Sequence, residues 1–245
     1  MKTYIFALAG IALLAGCGPS SKTSSTSTSS NSSSTNNMNT DNAQWVSLFD
    51  GKTLNGWRTY QNKTSDSWMA MDGVLHCKGS AEDKSDMRAD LITNDQYDNF
   101  ELSLDWKISP KGNSGIIYLA NEDNSAAYLS GPEYQIVDDE NFPEKLEGWQ
   151  KTGANYAMNS ASAASPKPIG EWNETRILVN KGHVEHWLNG SKVVEYQIGS
   201  DEWKANKANG KWKDAASYGT VKKGHIALQD HGSEAWFRNI KIRKL

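Results

Sequence analysis

From Phe100 to Ile108 the chain reads FELSLDWKI, in which Phe100, Leu102, Leu104, Trp106 and Ile108 alternate with Glu101, Ser103, Asp105 and Lys107. A strand points successive side chains to opposite faces, so this period of two predicts a strand buried on one side. The same alternation recurs in GIIYLA (115–120), EYQIV (133–137), TRILVN (175–180), HVEHWL (183–188), KVVEYQI (192–198), HIALQ (225–229) and FRNIKIRKL (237–245). Asn189-Gly190 stands between two of these runs, the strongest short hairpin signal available. Asp50-Gly51 and Asn55-Gly56 read as turns, and Asn113-Ser114-Gly115 as a loop entering a strand. One short helix is expected over 201–208. Many short strands joined by turn-rich loops predict an all-β sandwich, and no helices alternate with them as a parallel α/β fold requires.

The first 17 residues, MKTYIFALAGIALLAGC, carry one lysine, an apolar run too short to span a bilayer, and small residues ending in Cys17. That is the layout of a secretory signal. Leu14-Ala15-Gly16-Cys17 resembles the lipobox of bacterial lipoproteins, which implies an exported, periplasmic or cell-surface protein held to the membrane by lipid on Cys17. Residues 18–44 are dominated by Ser, Thr and Asn and cannot build an apolar core, so they are expected to form a disordered tether. The folded domain is expected over 45–245. With Cys17 taken as a lipid site, Cys77 has no partner for a disulfide and reads as a small buried hydrophobe in GVLHCKG.

A domain of roughly 200 residues can bury a substantial core. The formal net charge of −3 offers no basic field for nucleic acid. Ten Trp and nine Tyr point weakly toward carbohydrate, because aromatic rings stack on sugars as well as fill cores.

The alternation also assigns faces. If Tyr134 and Ile136 point into the core, Glu133 and Gln135 lie side by side on the opposite face. In HIALQDHG, Ile226 and Leu228 are apolar, leaving His225, Ala227, Gln229 and, if the strand continues, His231 on the other side. A carboxylate and an imidazole on one face would make an acid/base pair; ordinary solvent-facing polar positions are the alternative. His183 and His186 sit in the hairpin without evident metal-ligand company. No HExxH, cysteine cluster, phosphate-binding loop or nucleophile elbow occurs.

LFDGKTLNGW (48–57), FELSLDWKI running into GNSGIIY (112–118), GPEYQIVDD, GEWNETRI (170–177), VEHWLNGSKVVEY and GHIALQDHGSEAWFRNIKI (224–242) together resemble the 3-keto-disaccharide hydrolase domain family, in the order that family carries them. The resemblance implies a concanavalin A-like jelly roll of two curved antiparallel sheets, with EYQIV and HIALQDH contributing to one groove. It further implies a glycoside substrate oxidised at C3, whose acidified C2 proton is removed so that the C1 substituent leaves by elimination and water then adds. Glu133 and His231 are the implied acid/base residues, Gln135 and Gln229 orient hydroxyls, and Asn113 and Lys211 are further substrate contacts. Lys211 enters through a loose match of GKWKD (210–214), and a solvated lysine is the alternative. The chain departs from the family at Leu119 and Ala120, where many members place Arg or His. The resemblance implies no certain cofactor. The fold often carries calcium, and Asp138 and Asp139 could bind a divalent metal through oxygens, a solvated acidic turn being the alternative. Direct glycoside hydrolysis, which pairs two carboxylates on a strand face, and a non-catalytic sugar-binding module remain competing functions.

Overall fold

The computed structural model describes residues 44–79, 87–162 and 165–245. The expected signal segment, Cys17 and most of the tether lie outside the described residues. Thirteen strands are present there: β1 Val46–Ser47, β2 Trp57–Thr59, β3 Trp68–Met71, β4 Val74–Cys77, β5 Leu91–Thr93, β6 Phe100–Ile108, β7 Asn113–Ala120, β8 Glu133–Val137, β9 Asn173–Asn180, β10 His183–Leu188, β11 Ser191–Gln197, β12 His225–Leu228 and β13 Ala235–Lys244. One helix, α1 Asp201–Asn209, accompanies them. Its start is capped by the Ser200 hydroxyl, which accepts the Trp203 N–H at 3.1 Å, and Gly210 follows its end.

The strands form two antiparallel sheets. The larger runs β11-β10-β9-β6-β13-β4-β3, with β1 pairing β13, and the smaller runs β2-β5-β12-β7-β8. This is an all-β jelly-roll sandwich. The face of β6 expected to be apolar is buried between the sheets, where Phe100, Leu102 and Trp106 meet Tyr134, Ile136, Ile226 and Leu228 in one cluster. Each such side chain contributes roughly 1.5–3 kcal/mol of transfer free energy. The opposite face of β6 is closed by cross-strand ion pairs rather than left to water: Glu101 takes Arg176 at 2.6 Å and Arg243 at 2.5 Å. The Asn189-Gly190 turn has φ of +48° and +84°, the left-handed pair that a tight hairpin turn requires.

Two sequence expectations change, at Asn113-Ser114 and at His183. Asn113 and Ser114 belong to β7 rather than to a loop before it, because both pair with β8, opposite Val137 and Ile136. His186 is fully buried between the sheets, its Nε2 2.7 Å from the Tyr118 hydroxyl and its Nδ1 2.9 Å from the Gly153 carbonyl. Burial drives its pKa down to about 4, so it is a neutral hydrogen-bonding element of the core. His183 does have acidic neighbours: its ring and the Glu185 and Glu195 carboxylates offer atoms within 4.8 Å of one another. Lys192 ion-pairs with both of those carboxylates and so supplies the positive charge. Cys77 is buried as expected, its thiol pushed up chiefly by desolvation.

Candidate active site

The smaller sheet has a second, outer side. A small cluster of Tyr60, Ile92, Ile117, Ala120, Ala127 and Ala227 covers part of it. Alternation places Glu133 and Gln135 of β8 on this side, away from Tyr134 and Ile136. They are not solvent-facing: Glu133 is 5% exposed and Gln135 3%, because a neighbouring segment closes over them. That segment, 153–156, hydrogen-bonds along the free edge of β8. Gly153 donates to the Gln135 carbonyl at 2.9 Å, and Tyr156 donates to the Glu133 carbonyl at 3.0 Å.

Strand register aligns the polar groups in a row. Gly115 of β7 pairs with Gln135, the Gln229 N–H donates to the Gly115 carbonyl at 2.9 Å, and Asp90 directly precedes Leu91, which pairs with Leu228. The row across four strands is therefore Asp90, Gln229, Gly115 and Gln135. Gly115 leaves a gap in it, and the Glu133 carboxylate leans into that gap: a Cβ there would overlap its Oε1. Gln135 and Gln229 each keep a side-chain carbonyl oxygen buried and without a protein partner among the described residues. Acceptors left open in this way are suited to ligand hydroxyls.

A cavity of about 150 Å³ opens over this row. Glu133, Gln135, Gln229 and Asn113 line it from the sheet, and His231 and Lys211 line it from loops. β12 ends at Leu228, so His231 does not arrive by strand alternation. The loop after Gln229 carries it there, with Asp230 held by the Ala89 and Gly232 N–H groups at 3.3 and 3.1 Å. Lys211 is exposed, and its head group rests against aromatic rings. Its Nζ lies 4.5, 4.8 and 5.7 Å from the ring centres of Tyr156, Trp212 and Tyr128. All six catalytic and substrate-binding candidates read from the sequence thus line one cavity.

Tyr128 and Tyr156 also line the cavity and were not singled out in the sequence. They lie in irregular segments where no periodicity marks them. Asp90 was missed because β5 is only three residues long.

Burial and the nearby Asp90 push the Glu133 carboxyl up to about 8, against the opposing pull of Lys211 and the Gln229 amide. Asp90 itself is raised to about 6, mainly by burial. Desolvation lowers the His231 imidazole, with Arg88 adding to the effect, and desolvation lowers Lys211. Near neutral pH the pocket therefore holds a protonated carboxyl and a neutral imidazole, a ready donor and a ready acceptor.

The two metal candidates stand elsewhere, at the rim of a separate groove of about 430 Å³ formed with residues 165–171. The Asp138 carboxylate already accepts the N–H groups of Lys111, Asn141 and Glu140 at 2.8, 3.0 and 3.2 Å. Asp139 accepts the Thr152 N–H at 2.9 Å, and burial raises its pKa. Both carboxylates tie the loop after β8 together.

The sequence profile of a 3-keto-alpha-glucoside-1,2-lyase-like domain matches residues 44–243. A 3-keto-disaccharide hydrolase from Bacteroides thetaiotaomicron is 37% identical over 227 residues, covering 82% of this chain and 78% of that protein. The crystal structure of a provisionally assigned glycosyl hydrolase from Parabacteroides distasonis is 40% identical, with a TM-score of 0.76 over 82% of this chain and 94% of that one. An endo-beta-1,3(4)-glucanase from family GH16, 10% identical with a TM-score of 0.51, covers 82% of this chain and 93% of its own and shares the fold alone. On the extent of the profile match and the identity to these relatives, the chain belongs to the 3-keto-alpha-glucoside-1,2-lyase-like family.

Proposed function

We propose that the protein cleaves 3-keto-glucosides or 3-keto-disaccharides, with Glu133 and His231 as the proton-transfer pair. The observation that carries this reading is the single cavity shared by a buried, proton-bearing carboxyl, an imidazole and a lysine. A ketone at C3 acidifies the C2 proton. Neutral His231 accepts that proton, the C1–O bond breaks, and the Glu133 carboxyl gives its proton to the departing oxygen. The products are an alcohol and a sugar unsaturated between C1 and C2. Lys211 stabilises the negative charge that develops on the C3 oxygen, an electrostatic role of the oxyanion-hole kind. Water then adds at C1: the Glu133 carboxylate takes a proton from it and His231 returns one to C2. Both groups end in their starting states, and the net reaction is hydrolysis. Gln135, Gln229 and Asn113 orient the sugar hydroxyls.

Direct glycoside hydrolysis fits less well, because the position two after Glu133 on the same strand face is Gln135. The test is incubation of the domain with a 3-keto-glucoside and with its unoxidised parent, each with and without chelator. Turnover of the keto sugar alone supports the proposal. Turnover of both indicates direct hydrolysis, and binding without turnover a sugar-binding module. Wild-type rates in Glu133→Gln or His231→Ala would overturn the site assignment.

The same proposal includes export and lipid attachment at Cys17, with residues 18–44 as the tether. Mass spectrometry of the N-terminal peptide tests it, since Cys17→Ser should lose the lipid mass and leave the membrane fraction.

A further inference from the structure

Two aromatic side chains are exposed among the large apolar residues described, Tyr128 at 36% and Trp149 at 37%; the first lines the candidate cavity and the second lies one ring beyond its wall. Tyr128 lines it directly. Trp149 packs edge-on against Tyr156, which also lines it, with ring centres 5.6 Å apart.

Neither ring is on a loose tip. Trp149 sits in a short 3-10 turn at Gly148–Gln150, closed by a reciprocal capping box in which Gln150 accepts the Glu147 N–H at 3.0 Å. Its carbonyl accepts the Ala157 N–H at 3.3 Å. Ala157 has a φ of +58°, an uncommon conformation for a residue with a Cβ. Gly148 fits closely against Ser160, where a Cβ would come within 2.9 Å of the hydroxyl oxygen. Behind the two exposed rings, Trp212 lies 6.2 Å from Tyr128 and 6.4 Å from Tyr156, and it stacks on Tyr218 at 4.6 Å and 9°. Trp212 and Tyr218 are 2% and 1% exposed, so this run of rings is rooted in the core.

The cavity itself is small. At about 150 Å³ it falls well under the roughly 300 Å³ at which pockets for drug-sized ligands begin, which is room for one sugar ring and not two. A leaving group on C1 must therefore lie outside it.

We propose that Tyr128 and Trp149 form a leaving-group subsite that selects 3-keto-glycosides whose C1 substituent is itself a ring with a stackable face, a second pyranose or an aryl group. Such a face would stack on aromatic rings that the fold already holds rigid, so little ordering is lost on binding. This rests on the keto-glycoside reading above. Substrates with a small aliphatic leaving group leave the platform empty.

The test compares kcat/KM for three 3-keto-glucosides, with glucosyl, phenyl and methyl leaving groups, in wild type and in Trp149→Ala and Tyr128→Ala. For each variant the ratio of ring-bearing to methyl substrate should fall about tenfold, the scale of one stacking interaction together with the area it buries. A glucosyl ratio that falls alone assigns the platform to sugars, and a phenyl ratio that falls alone assigns it to aryl groups. Ratios unchanged in both variants overturn the proposal. Saturation-transfer NMR with unoxidised phenyl glucoside and disaccharide provides a readout independent of turnover. If no 3-keto substrate reacts, the catalytic reading fails on its own. Saturation transfer to the leaving-group ring that disappears in Trp149→Ala would then still support the platform, and transfer that persists in this variant would overturn it.

Discussion

Gly115 and Glu133 stand diagonally across the β7–β8 ladder, and the glutamate carboxylate occupies the space a side chain on Gly115 would need. A hydrogen atom at that position is thus what gives the Glu133 carboxylate its place. Gly115→Ala is expected to leave far-UV circular dichroism close to wild type while kcat/KM on a 3-keto-glucoside falls by about a hundredfold, the cost typical of an ångström-scale misplacement. Wild-type kinetics in this variant would show that the carboxylate position is unimportant.

The proton on Glu133 makes the stability of the fold depend on pH. Its folded-state pKa of about 8 lies above the ordinary 4.5, so between those values the folded protein keeps a proton that the unfolded chain has released. Stability contributed at this position is full below about 4.5, falls as pH rises to about 8 and is level beyond. Glu133→Gln removes the liability, so its melting temperature should exceed wild type at pH 8 and converge with it near pH 4.5. At ~1.4 kcal/mol per pKa unit, the gain is bounded at a few kcal/mol. Parallel melting curves at both pH values would refute the buried, neutral carboxyl.

Lys211 pulls the Glu133 pKa down, so removing its charge should push that pKa further up. Lys211→Met is expected to move the alkaline limb of the kcat/KM profile to higher pH while lowering kcat by about a hundredfold through loss of enolate stabilisation. A limb that stays in place would separate the lysine from the carboxyl.

Asp138 ties the loop after β8. Burial alone would raise its pKa, but the N–H groups of Lys111, Asn141 and Glu140 together hold it below the ordinary value. Its stabilisation is therefore present above about 3.8 and lost as pH falls below that value. Asp138→Asn should cost about 1–3 kcal/mol in urea unfolding at pH 7, with little change in turnover with or without chelator. Turnover that collapses in the variant and on chelation would instead make Asp138 a metal ligand.

The long strands were legible because burial on one face writes a period of two into the sequence, as in FELSLDWKI and EYQIV. The faces of Glu133, Gln135 and Gln229 followed from the same period. His231 reaches the cavity by a different route, since its strand stops at Leu228 and a loop delivers it. Lys211 had only a weak motif behind it, because its position depends on Trp212, whose indole N–H donates to the Tyr156 carbonyl at 3.2 Å. Such interactions join residues far apart in sequence and leave no local pattern. Tyr128, Tyr156 and Trp149 sit in irregular segments, where aromatic residues alone do not reveal which way they face. The three-residue β2 and β5 were too short for alternation to register.

The row of Asp90, Gln229, Gly115 and Gln135 exists only when four strands pair at one offset. A slip of a single residue in β8 would turn Tyr134 outward and carry Glu133 into the apolar interior. Such a molecule could keep its sheets and much of its circular dichroism yet could not assemble the pocket. Recovery of activity after denaturation would therefore time the moment when strand registration is complete, a step that bulk measures of β-structure do not resolve.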